Sequence, residues 1–370
     1  MKSEMKNGVK GLLVLGSGRQ EQIFEGHLIG AELKAPIAGE VVFNTSMTGY
    51  QEILTDPSYA GQIIAFTAAH IGNTGVNPED VESKKIHARG MILSEYCEFP
   101  SHYRSDATLD QFLKRNQVTA LHGVDTRALT LYLREQGVVP GYFTTEKFHA
   151  EKNIPLALMA DHDWMMEVST KEPYWLKSST PKYKVVAYDY GVKGQLLREL
   201  QMRGCDVWVV PANYPAEKVL QAIQQQKMHG VFLSNGPGDP ALATYAIKNV
   251  KELLGKTPMF GVCMGHQILA LALGAKTYKL KYGHRGGNQP VKNLKTSSVE
   301  ISSHNHGYAV DVNTLPSHAK LSHVNLNDEC CEGIEVPSLQ AYSVQYHPES
   351  SPGPHDSSYL FDQFISLIAN

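Results

Sequence analysis

The chain has 370 residues, of which 42% are hydrophobic and 19% charged, and its formal net charge at pH 7 is -3. This length is sufficient for two domains, each with a hydrophobic core of its own. No dense block of lysine and arginine is present, and the N-terminal apolar run, residues 12–15, is too short for a signal sequence or a membrane span. We therefore expect no nucleic-acid partner and no membrane association.

The cysteines are five in number: Cys97, Cys205, Cys263, Cys330 and Cys331. An odd number without C-x-x-C spacing argues against a disulfide framework and against a structural zinc site. This usage of cysteine predicts a protein of the reducing cytoplasm.

Residues 1–150 are predicted to form a small, strand-rich α+β domain. Short apolar runs alternate with glycine and polar turns, as at residues 11–15, 40–43 and 62–66. Residues 44–59 are polar and turn-forming, so their composition predicts a loop. From Leu109 to Gln136 the apolar spacing becomes helical, and Gly137 ends the second helix.

Residues 151–183 are predicted to be a linker, because the segment 169–183 is polar, contains prolines and has no apolar periodicity. Over residues 184–370, strands and helices alternate. The predicted strands are 184–189, 206–211, 230–234 and 258–262, and the predicted helices are 195–203, 216–226, 245–254 and 265–273. This alternation predicts an α/β fold with a doubly wound, mostly parallel sheet, whose ligands bind beyond the carboxyl ends of the strands.

Cys263 lies on the turn between the fourth of these strands and the helix that follows, between Gly261 and Gly265. The pattern G-x-C-x-G is the cysteine counterpart of the nucleophile elbow G-x-S-x-G, in which a sharp turn needs small neighbours. A helix N-terminus also favours the thiolate over the thiol. Gln267, one helical turn later, is expected on the same face as the nucleophile. Because most cysteines in apolar segments are only small buried hydrophobes, the assignment also requires a base.

His347 has the most suitable context for that base among the 16 histidines. It follows a predicted strand and is joined through Pro348 to Glu349. Residues two apart in an extended segment point the same way, so Glu349 can hold the imidazole and select its tautomer. The predicted catalytic residues are Cys263, His347 and Glu349.

The loop 235–240 follows the third predicted strand and contains Gly236 and Gly238. Glycines there would let backbone N–H groups approach a ligand and form an oxyanion hole. A plain Pro-Gly turn explains the same residues equally well.

A zinc hydrolase is an alternative, because His304 and His306, joined by His347, could bind zinc and activate a water. This alternative leaves the elbow unexplained and has no carboxylate placed as a base.

With these residues assembled, the chain resembles the small, glutamine-hydrolysing subunits of carbamoyl phosphate synthase. Residues 184–370 are similar to a class I glutamine amidotransferase domain through the segments 260–267 and 347–349, which identify only the superfamily. The narrower resemblance rests on residues 44–59, 233–240, 283–290 and 350–356. Together these segments extend over nearly the whole chain.

The resemblance implies that Cys263 attacks the side-chain amide of L-glutamine to give a glutamyl thioester and ammonia, with His347 as acid and base and Glu349 as its partner. The glutamine contacts that it implies are Ser58, Gly236, Gly238, Met264, Gln267, Asn305, Gly307 and Tyr308. Ser58 would reach the substrate from the first domain. Met264 and Tyr308 stand where leucine and phenylalanine are commoner in the family, and both differences are conservative.

No G-x-x-x-x-G-K-[ST] phosphate loop is present in the sequence, so we expect the ATP-dependent steps to occur elsewhere. We also expect no cofactor and no metal on this chain. The resemblance implies a heterodimer with a large ATP-grasp subunit that carries ATP and magnesium. That subunit would receive ammonia through a tunnel and make carbamoyl phosphate from bicarbonate for arginine and pyrimidine biosynthesis. The first domain would mostly be its docking face.

Two further functions compete with this interpretation. The chain could serve another synthase, such as those for GMP or anthranilate, although the first 150 residues argue against it. It could also be a non-catalytic regulatory subunit, although Cys263, His347 and Glu349 are all present.

Overall fold

The computed structural model describes residues 8–16, 21–150 and 162–369. It divides into two compact units, Met1–His162 and Asp163–Asn370. Within the described residues, no helix combines the length and the apolar character that crossing a membrane requires. The predicted strand-rich first domain and α/β second domain are both confirmed.

The first unit is built on a closed seven-stranded barrel of order β1-β2-β8-β6-β4-β3-β9. Its strands, with the short pair β5 and β7, are β1 (Lys10–Leu15), β2 (Gln22–Gly30), β3 (Ile37–Asn44), β4 (Gln62–Phe66), β5 (His70–Ile71), β6 (Gly90–Ile92), β7 (Glu95–Tyr96), β8 (Thr119–His122) and β9 (Val139–Thr144). Strands β3, β4, β6 and β8 pair in parallel, and the other barrel pairs are antiparallel.

The helices of the first unit are α1 (Tyr50–Thr55), α2 (Leu109–Arg115), α3 (Thr126–Gln136) and α4 (Glu146–Ala150), with a 3-10 helix at Pro57–Tyr59. The helices α2 and α3 lie within the predicted helical segment, and they begin at side-chain caps from Thr108 and Asp125. The loop predicted over residues 44–59 is wrong, because α1 and the 3-10 helix lie within it. Ile53 and Leu54 of α1 are buried in the core, which outweighs the polar composition of the segment.

The second unit contains a ten-stranded sheet of order β10-β12-β11-β13-β14-β19-β18-β17-β15-β16. Its strands are β10 (Tyr174–Leu176), β11 (Tyr183–Asp189), β12 (Cys205–Pro211), β13 (Gly230–Leu233), β14 (Met259–Val262), β15 (Lys276–Asn293), β16 (Val299–Asp311), β17 (Lys320–Asn325), β18 (Cys331–Val336) and β19 (Ala341–Val344). The five strands from β12 to β19 in this order are parallel, and antiparallel strands flank them on both sides.

The helices of this unit are α5 (Trp164–Val168), α6 (Gly194–Met202), α7 (Ala216–Gln226), α8 (Thr244–Leu253), α9 (Met264–Ala272) and α10 (Tyr359–Ile368), and 3-10 helices lie at Pro240–Leu242, Val312–Thr314 and Pro337–Leu339. Helices α7, α8 and α9 pack in one hydrophobic core and α6 and α10 in another. Successive residues of β11 alternate between these cores, with Val185 in one and Val186 in the other. The sheet is therefore covered by helices on both faces.

The predicted linker 151–183 overlaps this second unit. Residues 163–183 contain α5 and β10, and β10 pairs antiparallel with β12. The rings of Trp175 and Trp208 stack there, with centroids 6.1 Å apart. Residues 151–161 of the predicted linker lie outside the described residues.

Candidate active site

Cys263 is the single residue between the end of β14 and the start of α9. Its backbone has φ 53° and ψ -102°, a region that residues with a Cβ rarely occupy. Its N–H donates to the carbonyl of Val344 at 2.8 Å, which ties the turn to β19. The predicted elbow is confirmed, and its strained backbone is held by the neighbouring strand.

Both flanking glycines are required by the turn. A Cβ on Gly265 would lie 2.2 Å from the carbonyl oxygen of Leu233, and a Cβ on Gly261 would lie 2.7 Å from that of Gly265. The Gly265 N–H also donates to the Ser234 carbonyl at 2.9 Å. The start of α9 therefore packs directly against the end of β13.

His347 and Glu349 form the predicted pair. Nδ1 of His347 lies 2.8 Å from Oε1 of Glu349, and both side chains are buried. The backbone N–H of His347 donates to the Ser303 carbonyl at 2.8 Å, which fixes the backbone of this segment against β16. Nε2 of His347 is buried and has no hydrogen-bond partner among the described residues. The ring is thus held through one nitrogen, which is the arrangement that the predicted base requires.

Charge couples this pair to Cys263, the predicted nucleophile. Burial lowers the pKa of His347, but the Glu349 carboxylate and the Cys263 side chain outweigh burial and raise it above the ordinary value. An imidazolium held between a carboxylate and a sulfur is the partner that a catalytic thiolate requires.

Lys193 completes the arrangement, and sequence reasoning did not identify it. It immediately precedes α6, and its buried Nζ donates to Oε1 of Glu349 at 2.7 Å and to the Ser350 carbonyl at 2.7 Å. Burial raises the pKa of Glu349, yet Lys193 and His347 outweigh it and lower that pKa to about 2. Glu349 is therefore an ionised carboxylate. The available signal was that Lys193 follows a predicted strand at its carboxyl end, where ligands bind in this fold.

The two glycines of the loop after β13 have structural reasons of their own. A Cβ on Gly236 would lie 2.1 Å from the Tyr190 carbonyl oxygen, and Gly238 has φ 93°. Their contact with glutamine remains a prediction. Met264 is the first residue of α9, where helices leave backbone N–H groups without an intrahelical acceptor. Its N–H beside the sulfur is suited to an oxyanion.

Three other predicted contacts lie together beside Cys263. The carbonyl of Asn305 is 3.6 Å from Sγ of Cys263. Nε2 of Gln267 donates to the Tyr308 carbonyl at 2.8 Å and to Oε1 of Gln345 at 3.0 Å. Nδ2 of Asn305 and Nε2 of Gln345 are buried without hydrogen-bond partners among the described residues. Amide groups left in this condition are suited to bind a polar ligand.

Gly307 lies on β16 between Asn305 and Tyr308, and a Cβ there would come no closer than 3.6 Å to a neighbouring atom. Ser58 lies in the first unit, in the 3-10 helix after α1, where its N–H donates to Oδ1 of Asp56 at 2.8 Å. The roles of both residues in glutamine binding remain predictions.

The zinc constellation considered from the sequence is not the one that the fold forms. Among the described residues, the side chains placed to share an ion with His304 and His306 are His284 and Glu332. His347 does not belong to that group, and its Nδ1 is hydrogen-bonded to Glu349 instead.

Two family models match the chain. One is the class-I glutamine amidotransferase model, over residues 186–367, and the other is the CPSase domain of the carbamoyl-phosphate synthase small chain, over residues 13–143. The carbamoyl phosphate synthase small chain of Syntrophotalea carbinolica is 50% identical over 97% of this chain and 98% of its own length. The chain belongs to the carbamoyl phosphate synthase small chain family.

Other members of the family show how widely the similarity extends. The small chain of Yersinia pestis is 48% identical over 96% of this chain and 94% of its own. The chloroplastic small chain of rice, Oryza sativa subsp. japonica, is 47% identical over 90% of this chain and 77% of its own. Members therefore occur in more than one compartment, and the cytoplasmic location of this chain remains a prediction.

The family assignment decides between the functions considered from the sequence. Its glutamine amidotransferase domain makes this chain the glutamine-hydrolysing small subunit of a carbamoyl phosphate synthase, as predicted. The match over residues 13–143 argues against a role as the glutamine amidotransferase subunit of a GMP or anthranilate synthase.

Proposed function

We propose that this chain hydrolyses L-glutamine through a thioester on Cys263 and passes the ammonia to a large subunit that makes carbamoyl phosphate. The observation that carries the proposal is the buried series of contacts from Lys193 through Glu349 to His347, whose pKa is raised by Glu349 and by Cys263. Every member of this series lies at the carboxyl edge of the parallel strands.

In the first half of the reaction, the Cys263 thiolate attacks the side-chain amide carbon of glutamine. The new C–S bond places negative charge on the amide oxygen, which the N–H of Met264 stabilises. His347, protonated at Nε2, gives its proton to the amide nitrogen. The C–N bond then breaks, ammonia departs, and a glutamyl thioester remains.

In the second half, neutral His347 accepts a proton from a water that attacks the thioester carbon. The C–S bond breaks, glutamate is released, and the sulfur and the imidazolium return to their starting state. Glu349 remains ionised throughout, because Lys193 and His347 both stabilise its charge. It therefore orients the ring and stabilises the imidazolium without itself accepting a proton.

Recognition of glutamine rests on the polar atoms beside the sulfur. Nδ2 of Asn305 and Nε2 of Gln345 can each donate to a substrate carboxylate or carbonyl, since neither has a protein acceptor among the described residues. Gln267 supports this surface from α9 through its hydrogen bonds to Tyr308 and Gln345.

The synthesis of carbamoyl phosphate requires ATP, magnesium and bicarbonate, and we assign these to the large ATP-grasp subunit. This assignment is supported by the absence of a phosphate-loop motif from the sequence. The first unit, which matches the family-specific domain, is the proposed docking surface for that subunit. Ammonia then travels between the subunits through an internal tunnel, and the product serves arginine and pyrimidine biosynthesis.

The decisive experiment compares wild type with Cys263→Ser, each with and without the large subunit. Glutamine-dependent ammonia release is measured beside carbamoyl phosphate formation from added ammonium. We expect the variant to lose glutamine-dependent activity while the complex still uses ammonium.

A variant that continued to cleave glutamine would refute Cys263 as the nucleophile. Failure to use ammonium in the presence of the large subunit would refute the division of the two reactions between the chains. If the wild-type chain hydrolysed no glutamine even in the complex, it would be a non-catalytic subunit.

A further inference from the structure

A cluster of buried side chains outside the proposed triad converges on one point of the large sheet. Its members are His284 on β15, His304 and His306 on β16, and Glu332 on β18. One ligand atom from each lies within 4.8 Å of the ligand atoms of the others. The proposed hydrolysis of glutamine uses none of these four side chains.

Three of the separations within the cluster are close to the edge length of a tetrahedral metal site. Nδ1 of His304 is 3.2 Å from Nε2 of His306 and 3.6 Å from Oε1 of Glu332. Nδ1 of His284 is 3.7 Å from the same carboxylate oxygen. With ligand bonds of about 2.0–2.1 Å, two ligands of a tetrahedral zinc ion are about 3.3–3.4 Å apart.

The remaining nitrogen of each imidazole is hydrogen-bonded away from this point. Nε2 of His284 lies 2.9 Å from Oδ2 of Asp328, and Nε2 of His304 lies 2.8 Å from the hydroxyl of Ser302. Such outer partners orient the imidazoles of metal sites and select their tautomers.

His306 gives the clearest evidence on the tautomer. Its Nδ1 is 2.8 Å from the carbonyl of Tyr308, and a carbonyl can only accept. Nδ1 therefore carries the hydrogen when the ring is neutral, and Nε2 directs a lone pair into the cluster. A lone pair there is what a metal ion requires.

Glu332 supplies the negative charge of the cluster. Its side chain is fully buried, and its Oε2 has no hydrogen-bond partner among the described residues. Oε1 accepts a hydrogen bond from Nδ2 of Asn325 at 3.1 Å. Buried carboxylates are normally paired with a cation or coordinate a metal. The nearest side-chain partners of Oε1 in the cluster are the imidazoles of His304 and His284, at 3.6 and 3.7 Å, and an ion bound between these three groups would compensate the carboxylate charge directly.

We propose that His284, His304, His306 and Glu332 bind one zinc ion. Three imidazoles exclude magnesium and calcium, which prefer oxygen ligands throughout. Four protein ligands leave no open position for a reactive water, so the site is structural and differs from the zinc hydrolase considered from the sequence. The side chain of Asp328 is 40% exposed and marks the side from which the ion enters. This proposal departs from our sequence-based expectation that the chain has no metal.

The position of the site gives it a role beside the proposed glutamine site. In the sequence, Asn305 lies between the proposed ligands His304 and His306. Its carbonyl lies beside the Cys263 sulfur. The Tyr308 carbonyl is the acceptor for both His306 and Gln267. A zinc ion would therefore hold in place the part of β16 that carries Asn305 and Tyr308.

The test measures metal directly on the full-length chain, purified with a tag that contains no histidine. Zinc is quantified after growth in zinc-supplemented medium, and the chelator-treated chain is then titrated with Co²⁺. The variants are Glu332→Gln and His304→Gln. The matched control is His323→Gln, since His323 is also a buried histidine, lies on neighbouring β17, and is outside the ligand group.

We expect stoichiometric zinc in wild type and in the control, together with the intense visible absorption of tetrahedral Co²⁺. Each of the two variants loses a ligand, so its binding should weaken by more than the about 10–100-fold that loss of a residue orienting a ligand costs. The Co²⁺ spectrum of wild type decides the question even if a variant fails to fold. Wild type with little zinc and no tetrahedral Co²⁺ spectrum would overturn the proposal, and so would variants that bind metal as tightly as wild type. None of these measurements depends on glutamine hydrolysis.

Discussion

Lys193 and His347 share one carboxylate oxygen, because Oε1 of Glu349 lies 2.7 Å from Nζ of Lys193 and 2.8 Å from Nδ1 of His347. The lysine and the glutamate are 156 residues apart in the chain and both are buried. A buried cation beside Glu349 keeps that group ionised, and an ionised Glu349 keeps His347 oriented. The ion pair therefore serves the proposed base as well as the fold.

Replacing this lysine tests that relationship. In Lys193→Met, Glu349 loses its buried cation, so we expect a loss of about 3–5 kcal/mol in the free energy of unfolding, measured by urea denaturation. Glutamine hydrolysis should also fall, because the pKa of Glu349 rises and the carboxylate stabilises the imidazolium less well.

The control for this variant is Lys177→Met. It removes a lysine whose Nζ lies 2.8 Å from Oδ2 of Asp206. The side chain of Lys177 is 64% exposed, so its loss should change stability little and leave hydrolysis intact. Equal effects of the two variants would contradict the role assigned to Lys193.

Glu349 also predicts how stability depends on pH. Its pKa is lowered from 4.5 to about 2 in the folded chain, so between these pH values the unfolded chain binds a proton that the folded chain does not. The stabilisation is complete above pH 4.5 and is lost as the pH falls through the folded pKa. The free energy of unfolding should decrease by up to about 1.4 kcal/mol per pH unit from this group.

In Glu349→Gln this contribution disappears. Urea denaturation of both proteins across this pH interval should give a shallower slope for the variant. Parallel slopes would show that Glu349 has an ordinary pKa in the folded chain. The variant should also lower the pKa of His347, which would move the corresponding limb of the rate profile to lower pH.

The elbow predicts different effects for two glycine substitutions. Gly265→Ala places a methyl group 2.2 Å from the Leu233 carbonyl oxygen, so the start of α9 must shift. We expect a loss of at least about 1–3 kcal/mol in stability, as in other overpacked cores, and loss of hydrolysis. Gly307→Ala, whose Cβ meets nothing closer than 3.6 Å, should fold normally. Thermal unfolding of both variants provides the comparison, and equal stability would contradict the close approach of α9 to β13 at Gly265.

Asn305 tests substrate recognition separately from stability. Since its Nδ2 has no acceptor among the described residues, Asn305→Ala should lower the free energy of unfolding little. If this amide binds glutamine, the KM for glutamine should rise about 5- to 100-fold, which corresponds to about 1–3 kcal/mol.

Gln267→Ala is the matched comparison, because Nε2 of Gln267 already donates to Tyr308 and Gln345. Its loss should reduce both stability and activity. An unchanged KM in Asn305→Ala would remove Asn305 from the predicted glutamine site.

Features that depend on short-range patterns could be predicted from the amino-acid sequence. The apolar periodicity of residues 184–273 predicted four of the five parallel strands and the helices between them to within about two residues, because burial of one face imposes a period that can be read locally. The pattern around Cys263 predicted the elbow, since glycine is required wherever the backbone approaches itself closely. The spacing of His347 and Glu349 predicted their contact, because alternate residues of an extended segment share a face.

Features that depend on pairing between distant segments could be read only from the folded chain. The helix at Tyr50–Thr55 forms because its apolar residues find a core that its own composition does not reveal. Lys193 reaches Glu349, and His284 and Glu332 join His304 and His306, through the order of the strands in the sheet. A buried charge is stable only when a partner lies within a few ångströms, and no local pattern in the chain specifies which distant residue that partner will be.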